Sequence, residues 1–437
     1  MAKVSRRKGR CHRCRSAFRV DAARDADCCH HLDIGLLVHA LCVGGLNGNC
    51  RHAAARNFDN DTVKSNSWKR AVLLVARYRR GCDLAAPLQF FPPHARQRTT
   101  FHAKMSIAHT AILGAGAWGT ALASLWGKDG GQISLWGHNV DRVTRMQKTR
   151  ENSDYLPGIR LPETLTVTSE LPDCAGADLI VFVTPSTALR EIATRLRKVI
   201  SNPHAVLLSC TKGIEHMTGM RMSQILHETF PEHRIAVLSG PNLAVEIAQS
   251  LPTATVIACD DVDCAASLQG LLGSPRFRIY TSRDVVSVEL GGALKNVFAI
   301  AAGISDGLGL GDNSKAALVT RSLAELVRLG VAMGGNMNAF YGLSGGGDLV
   351  LTCYSECSRN HTVGKRLGKG EPLIQITADM KTVAEGIPTT LSAWECARRL
   401  NVVTPIIDQV YAVLYEHKKP TAALEELLSR EQKPEQL

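Results

Sequence analysis

The stretch 110–139, TAILGAGAWGTALASLWGKDGGQISLWGHN, decides the fold. An apolar run leads into the spacing Gly114-x-Gly116-x-x-Gly119. A helical pattern follows, and a second apolar run begins about 13 residues after the last glycine. In such a strand–turn–helix unit, the first glycine permits the tight turn, the second lets backbone approach a pyrophosphate, and the third lets helix and strand pack closely. The pyrophosphate then lies at the helix N-terminus. The stretch therefore predicts a dinucleotide site.

The end of the second apolar run bears on which dinucleotide binds. NAD-specific sites usually carry Asp or Glu there, to bind the ribose 2′-hydroxyl. This chain has Gly137, His138 and Asn139 instead, with Arg142 one turn later. Because no carboxylate repels a 2′-phosphate, the sequence favours NADPH, with NADH also possible.

Strand and helix patterns continue to alternate after this motif. They are ADLIVFVTPSTALREIATRLRKV at 177–199, AVLLSCTKGI at 205–214, RIAVLSGPNLAVEIAQ at 234–249 and TATVIACD at 253–260. This alternation predicts a doubly wound parallel sheet, in which ligands bind beyond the carboxyl ends of the strands. Lys212, Gly240 and Asn242 follow such ends and are candidate site residues. Two alternatives remain open: a solvated Lys212, and Asn242 as the N-cap of the next helix.

From about residue 284 the pattern becomes mainly helical, and Lys295 stands out within it. Its predicted helix, Val285 to Ile304, contains no other Lys or Arg. Its apolar neighbours are Val288, Leu290, Leu294, Val297 and Phe298. A lysine desolvated in this way has a lowered pKa, which suits proton transfer near neutral pH. The alternative is a surface lysine that snorkels. Asn296 follows and is a candidate partner for a substrate hydroxyl.

A second cluster of polar residues lies in LSGGGDLVLTCYSECSRN at 343–360. Arg359 offers a rigid fork of donors suited to phosphate, and Asp348 can hold a nearby lysine by a charged hydrogen bond. Ser358 and Asn360 flank the arginine. A turn aspartate and a surface arginine are the alternatives, so the prediction depends on taking these residues together.

The net charge of +11 belongs to the first 104 residues. They hold 20 Lys and Arg against 7 Asp and Glu, a balance of +13, and the remainder has a balance of −2. A near-neutral body argues against nucleic acid as the partner of the main fold. No run of 18 apolar residues occurs, so no transmembrane helix is expected. We expect reduced thiols and no metal in the body, whose cysteines are Cys174, Cys210, Cys259, Cys264, Cys353, Cys357 and Cys396.

Residues 1–104 resemble neither a signal peptide nor a compact domain. CHRC at 11–14 and CCHH at 28–31 offer zinc ligands but no matched second pair, so a zinc or nucleic-acid module is the weaker interpretation. We expect a basic, Cys- and Arg-rich extension that is disordered, or upstream sequence included by a wrong start codon, because Met105 opens MSIAHTAILGAG.

Several motifs in a fixed order resemble the bacterial-type NAD(P)-dependent glycerol-3-phosphate dehydrogenases. They are GAGAWGTALA, NSDYLPG, VTPS, CTKGI, SGPNLAVEIA, ELGGALKNVFAIAAGISDGLGLGDNSKAALVTR, GLSGGGDLVLTC and SRN, and the resemblance spans about 107–430. It implies a Rossmann domain at 105–283 and an α-helical domain of the 6-phosphogluconate dehydrogenase type at 284–437. It also implies a cytoplasmic homodimer that reduces dihydroxyacetone phosphate for phospholipid synthesis. A relative of the 6-phosphogluconate dehydrogenases or ketopantoate reductases is the alternative enzyme.

The same resemblance implies a role for each site residue. Lys295 matches the proton donor and acceptor. The substrate set is Lys212, Gly240, Asn242, Lys295, Asn296, Asp348, Ser358, Arg359 and Asn360. The cofactor set is Gly114, Gly116, Ala117, Trp118, Gly119, His138, Asn139, Tyr155, Lys212, Ala244, Arg359, Val383 and Glu385. The chain departs from the family at Ala117, where Ser is frequent, and at Asn242, where Ser or Thr is frequent; the side-chain role of Asn242 is therefore less firmly implied.

A chain that starts at Met105 is expected to fold and to keep full activity, because every motif lies downstream of it. Steady-state kinetics on both chain lengths measure this. Loss of activity on truncation would show that residues 1–104 belong to the working enzyme.

Overall fold

The computed structural model describes residues 107–127, 131–380, 383–432 and 434–435. The predictions made for residues 1–104, namely disorder, zinc ligands and a start at Met105, lie outside the described residues.

Within the described residues, one eight-stranded sheet has the order β3-β2-β1-β4-β5-β6-β7-β8. The strands are β1 His109–Leu113, β2 Gln132–Trp136, β3 Leu165–Thr168, β4 Leu179–Phe182, β5 Val206–Ser209, β6 Arg234–Ser239, β7 Thr253–Cys259 and β8 Phe277–Ser282. The chain runs outward from β1 in both directions, first through β2 and β3 and then through β4 to β6. This reversal of order beside β1 is the point at which doubly wound sheets bind ligands.

Helices cover both faces of this sheet. They are α1 Ala117–Trp126, α2 Val140–Thr149, α3 Leu189–Arg197, α4 Met222–Thr229, α5 Ala244–Ala248 and α6 Val262–Leu272. Alternate residues of the central strands enter separate apolar cores, for example Ile112 on one face and Leu113 on the other. Since both faces are buried, the strands are almost continuously apolar in sequence.

The predicted fold class is confirmed, but the last part of the sheet is not parallel. β7 runs antiparallel to β6, and β8 pairs parallel with β7. The connection from β6 to β7 contains only the five-residue α5. Five residues of helix rise about 7.5 Å, whereas six residues of strand span about 20 Å. The helix is thus too short to carry the chain back along β6, and β7 begins at the edge where β6 ends.

The second half of the chain is helical, as predicted. It contains α7 Val285–Gly307, α8 Gly311–Ala332, α9 Met337–Phe340, a π-helical turn at Leu343–Gly347, α10 Asp348–Tyr354, α11 Arg359–Gly368, α12 Leu373–Ala378, α13 Gly386–Arg399, α14 Pro405–Tyr415 and α15 Pro420–Leu428. The five apolar neighbours predicted for Lys295 are all buried. All seven cysteines of the described region are free, and six of them are buried.

Helix α7 is the core of this half. Among the described residues it alone is long and apolar enough to cross a membrane, but 94% of its apolar window is buried inside the protein. Glycines allow α11 to pack directly on its backbone. A Cβ on Gly303 would lie 2.0 Å from the carbonyl oxygen of His361, and one on Gly364 would lie 2.0 Å from that of Ile300.

Two buried glutamates cap helices that lie elsewhere in the sequence. Glu289 of α7 accepts hydrogen bonds from the backbone N–H (2.7 Å) and hydroxyl (2.6 Å) of Ser223 in the first turn of α4. Glu325 of α8 accepts the backbone N–H groups of Ile406 (3.0 Å) and Ile407 (2.8 Å) in α14. Each carboxylate satisfies donors that a helix N-terminus leaves free.

Burial raises the pKa of Glu325 from its ordinary value of 4.5 to about 7, although the hydrogen bonds from the two backbone N–H groups act to lower it. Between these pH values the folded chain holds a proton that the unfolded chain has released. Stability should therefore fall as pH rises through this window, by about 3 kcal/mol in total, and level off above it. Glu325→Gln should flatten this dependence, as measured by urea unfolding at about pH 5 and about pH 8.

The matched control is Glu416→Gln, because Glu416 is exposed. It should keep the pH dependence of the unsubstituted chain. Parallel stability curves for Glu325→Gln and the unsubstituted chain would contradict the assignment.

Candidate active site

The glycine turn between β1 and α1 has the geometry that its spacing predicts. Gly114 has a φ of +128°, and a Cβ there would lie 2.4 Å from the carbonyl oxygen of Val183. A Cβ on Gly119 would lie 1.9 Å from the carbonyl oxygen of Gly114. By contrast, a Cβ on Gly116, the N-cap of α1, would point into open space. The turn thus presents bare backbone and a helix N-terminus, which fits a dinucleotide pyrophosphate.

Asn152 holds this turn in place, and sequence reasoning missed it. Its amide nitrogen donates to the carbonyl oxygen of Ala115 (3.0 Å) and to the hydroxyl of Thr120 (2.8 Å). The side chain is almost fully buried. The only sequence signal is its place at the start of NSDYLPG, where an asparagine looks like an ordinary turn residue.

Beyond β2, His138 and Asn139 are exposed beside the turn. The side-chain oxygen of Asn139 accepts the backbone N–H of Arg142 at 2.8 Å and so caps α2. This bond gives Asn139 a structural use, and its predicted contact with the cofactor stays a prediction.

Two arginines of α2 share one carboxylate. Asp154 lies 3.0 Å from Nε of Arg142 and 2.8 Å from a terminal nitrogen of Arg145. The guanidinium of Arg142 also lies 4.4 Å from the ring centre of Tyr155.

At the carboxyl ends of β5 and β6, Asp348 joins two lysines. Its Oδ1 accepts from Nζ of Lys295 at 2.8 Å, and its Oδ2 accepts from Nζ of Lys212 at 2.5 Å. Lys212 also donates to the carbonyl oxygen of Gly240 at 3.0 Å. Asp348 is 1% exposed and Lys295 is 7% exposed. The solvated and snorkelling alternatives for these lysines are therefore wrong.

The environment of Lys295 changes its acidity. Burial lowers the pKa of Lys295 to about 8, although the negative charge of Asp348 acts to raise it. Thr352, which sequence reasoning missed, accepts a hydrogen bond from Nζ of Lys295 at 2.6 Å and donates to the carbonyl oxygen of Asp348 at 2.7 Å. A lysine with a pKa this close to neutrality can both donate and accept a proton.

Small residues allow Lys295, Asp348 and Lys212 to meet. A Cβ on Gly292, one turn before Lys295, would lie 2.2 Å from the hydroxyl of Ser239 at the end of β6. A Cβ on Gly291 would lie 2.8 Å from the carbonyl oxygen of Ser344 in the π-helical turn. The two glycines of ELGGALKN therefore bring the sheet edge and the start of α10 against α7.

The N-cap interpretation of Asn242 is wrong. Helix α5 begins after Leu243, which is its N-cap and makes no side-chain capping bond. The amide nitrogen of Asn242 instead donates to the hydroxyl of Thr255 at 3.1 Å. Its side-chain oxygen, like the hydroxyl of Ser239, is buried and has no partner among the described residues. Both atoms lie at the sheet edge, at the ends of the segments that precede and follow the turn at Gly240.

The N-terminus of α11 brings three predicted residues together. Asn360 donates to the side-chain oxygen of Asn296 (2.9 Å) and accepts the backbone N–H of Gly386 (2.9 Å). Ser358 is the N-cap and accepts the backbone N–H of His361 at 3.2 Å. Arg359 is exposed at the first position of the helix. The capping bond gives Ser358 a structural use, so its substrate contact stays a prediction.

Glu385 connects the two halves of the chain. Its carboxylate accepts the hydroxyl (2.6 Å) and the backbone N–H (3.2 Å) of Ser186, which follows β4. Burial raises the pKa of Glu385, and the bonds from Ser186 and the charge of Arg359 oppose that rise. Of the other predicted cofactor residues, Ala244 and Trp118 pack against one small apolar cluster, and Val383 is exposed.

Comparison with known proteins gives one consistent result. Two family models match, described as the N-terminus (residues 109–265) and the C-terminus (residues 284–425) of NAD-dependent glycerol-3-phosphate dehydrogenase. Proteins named glycerol-3-phosphate dehydrogenase [NAD(P)+] from Syntrophotalea carbinolica and Geobacter metallireducens are each 48% identical over 328 residues. Each alignment covers 74% of this chain and 98% of the relative.

A solved structure agrees with these matches. The glycerol-3-phosphate dehydrogenase of Coxiella burnetii is 38% identical and has a TM-score of 0.72, with 74% of this chain and 99% of that chain covered. The match decides against a ketopantoate reductase or 6-phosphogluconate dehydrogenase relative. The chain is an oxidoreductase that uses a nicotinamide cofactor, and it belongs to the NAD-dependent glycerol-3-phosphate dehydrogenase family.

Proposed function

We propose that this chain catalyses the reversible reduction of dihydroxyacetone phosphate to sn-glycerol 3-phosphate, with Lys295 as the catalytic acid and base. The observation that carries the proposal is the buried Lys295–Asp348–Lys212 group at the ligand-binding edge of the sheet. In this proposal residues 105–283 bind the cofactor and residues 284–437 supply the catalytic side chains.

The residues fit a ketone reduction. When bound, the nicotinamide supplies the hydride. Lys295, as the ammonium, donates a proton to the developing alkoxide and stabilises its negative charge. Asp348 and Thr352 orient the ammonium, since both hold its nitrogen within 2.8 Å. Asn296, whose side-chain oxygen accepts a hydrogen bond from Asn360, is the proposed partner of a substrate hydroxyl.

The substrate phosphate is assigned to Arg359, with Lys212 adding positive charge. The planar guanidinium presents paired donors that match phosphate oxygens. Binding energy from the phosphate, which does not react, then positions the carbonyl next to Lys295.

We propose NADPH as the preferred cofactor, with NADH also used. Arg142, one turn after His138 in sequence, offers its guanidinium near the carboxyl end of β2 while its Nε pairs with Asp154 at 3.0 Å. The positive charge of this guanidinium would attract a ribose 2′-phosphate.

Three further assignments are proposed on the family resemblance alone. They are a homodimer, a cytoplasmic location and the supply of sn-glycerol 3-phosphate for phospholipid synthesis. Size-exclusion chromatography with light scattering measures the first, and cell fractionation with labelled lipid precursors measures the other two.

The central test is steady-state kinetics on the purified protein, with dihydroxyacetone phosphate and each reduced cofactor in turn. Ketone-dependent oxidation of the cofactor supports the function. Absence of turnover with both cofactors would refute it.

Lys295→Ala should lower kcat by about a hundred- to ten-thousandfold, the usual contribution of general acid catalysis, while NADPH still binds. In the unsubstituted enzyme, kcat for ketone reduction should fall as pH rises past about 8, because the ammonium is lost. Oxidation of glycerol 3-phosphate needs the free amine and should rise through the same pH.

The matched control is Lys198→Ala, since Lys198 is an exposed lysine at the end of α3. It should leave both pH profiles unchanged. Near-normal turnover in Lys295→Ala would refute the catalytic assignment.

Arg142→Ala should raise the KM for NADPH about tenfold and leave the KM for NADH within about twofold, because a charged hydrogen bond contributes about 1.5 kcal/mol. Lys148→Ala, an exposed basic residue in the last turn of the same helix, is the control. Equal changes in both KM values, or a strong preference for NADH before substitution, would contradict the proposal.

A further inference from the structure

A second ionic group lies in the helical domain, and the proposed mechanism does not use it. Oδ2 of Asp306 lies 2.6 Å from Nζ of Lys315 and 2.7 Å from Nε2 of His361. The ring of Tyr354 covers the same ammonium, with its centre 4.7 Å from Nζ. We call these four residues the Asp306 hub. Lys315 and His361 are both buried.

The charges of the hub stabilise one another. Burial by itself would raise the pKa of Asp306, but the bonds from Lys315 and His361 outweigh it and hold that pKa below its ordinary value. The carboxylate is therefore ionised at neutral pH. Removing its charge would leave a buried lysine without its carboxylate partner, which is costly.

The hub connects four helices, and three of them carry proposed active-site residues. Asp306 belongs to α7 with Lys295, and Tyr354 belongs to α10 with Asp348. His361 follows Arg359 and Asn360 in the first turn of α11, and Lys315 comes from α8.

Within α7, the hub and the catalytic lysine lie on the same side. Lys295 and Asp306 are eleven residues apart, which is about 20° beyond three full turns and about 16 Å along the axis. The hub therefore acts at a distance from the reacting atoms.

Side-chain bonds fix how α11 sits on α7. The helices touch backbone to backbone at Gly303 and Gly364, and again at Gly307 and Gly368. Glycines set how closely two helices approach, but they provide no side chain that stops one helix from sliding or rotating on the other. Two side chains of the first turn of α11 bond to α7: Asn360 bonds to Asn296, and His361 bonds to the half-buried carboxylate of Asp306.

We propose that Asp306 is a positioning residue for the substrate phosphate: through His361 it fixes the start of α11, so that Arg359 and Asn360 face the site. This inference rests on the proposed function, and in particular on the assignment of the phosphate to Arg359. Asp306 itself touches neither substrate nor cofactor in this role.

Asp306→Asn tests the inference, because it removes the charge and keeps the shape. The full-length variant is assayed with dihydroxyacetone phosphate and with dihydroxyacetone, which lacks the phosphate. We expect kcat/KM for the phosphorylated ketone to fall about tenfold, the size of one weakened charged contact. The value for dihydroxyacetone and the KM for NADPH should change less than about twofold.

The matched control is Glu325→Gln, which neutralises a different carboxylate of the helical domain, one that bonds to α14 and not to α11. It should leave the ratio of the two kcat/KM values unchanged. If Asp306 had only a structural role, Asp306→Asn would lower kcat/KM for both ketones by the same factor. That result would overturn the inference.

A double-mutant cycle with Arg359→Ala tests whether Asp306 acts through Arg359. If Asp306 acts through Arg359, Asp306→Asn should have no further effect on the phosphorylated ketone once Arg359 is removed. Additive losses would overturn the inference while leaving the proposed function intact. An unsubstituted enzyme that reduces neither ketone would overturn both.

Should Asp306→Asn fail to fold, His361→Asn serves in its place. It breaks the bond to α11 and keeps the pair of Asp306 and Lys315. The same loss confined to the phosphorylated ketone supports the inference, and an unchanged ratio overturns it.

Discussion

The arrangement of the active site depends on one buried carboxylate that two lysines share. Asp348 is bonded to Lys295 and to Lys212, and these residues come from a helix start, a long core helix and a strand end. Burying charged groups is expensive unless each has a partner. The group is therefore stable only when α10, α7 and the end of β5 meet. The same desolvation that makes the group costly lowers the pKa of Lys295 into the range that proton transfer needs.

Buried carboxylates recur as links between distant parts of the chain. Glu289 and Glu325 cap α4 and α14 from other helices, and Glu385 reaches across to the backbone N–H of Ser186. Each accepts N–H groups at the start of a helical segment, where the helix leaves donors free. The bonds of Glu289 and Glu385 connect the sheet domain to the helical domain, and those of Glu325 connect α8 to α14 within the helical domain.

The sequence was sufficient for much of the fold and for part of the site. The glycine spacing predicted the turn, and the apolar neighbours of Lys295, in a helix with no other Lys or Arg, predicted its burial. These signals are local, because they depend on spacing within one element. The direction of β7 was missed because it depends on the length of α5. Asn152 and Thr352 were missed because their partners lie 37 and 57 residues away, and such pairings depend on how elements pack.

The reversal at β7 has a consequence for how this chain tolerates changes in length. Because β7 starts at the ligand edge, its first residues complete the site, and Thr255 bonds both Asn242 and the carbonyl oxygen of Ser239. A strand alternates its side chains between faces, so a shift of one residue would turn Thr255 to the opposite face of the sheet. A single insertion between 240 and 252 would keep the threonine in the site only if the connection absorbed the extra residue and the register of β7 stayed the same. The chain can therefore accept a change in length here in the connection but not in the pairing of β7.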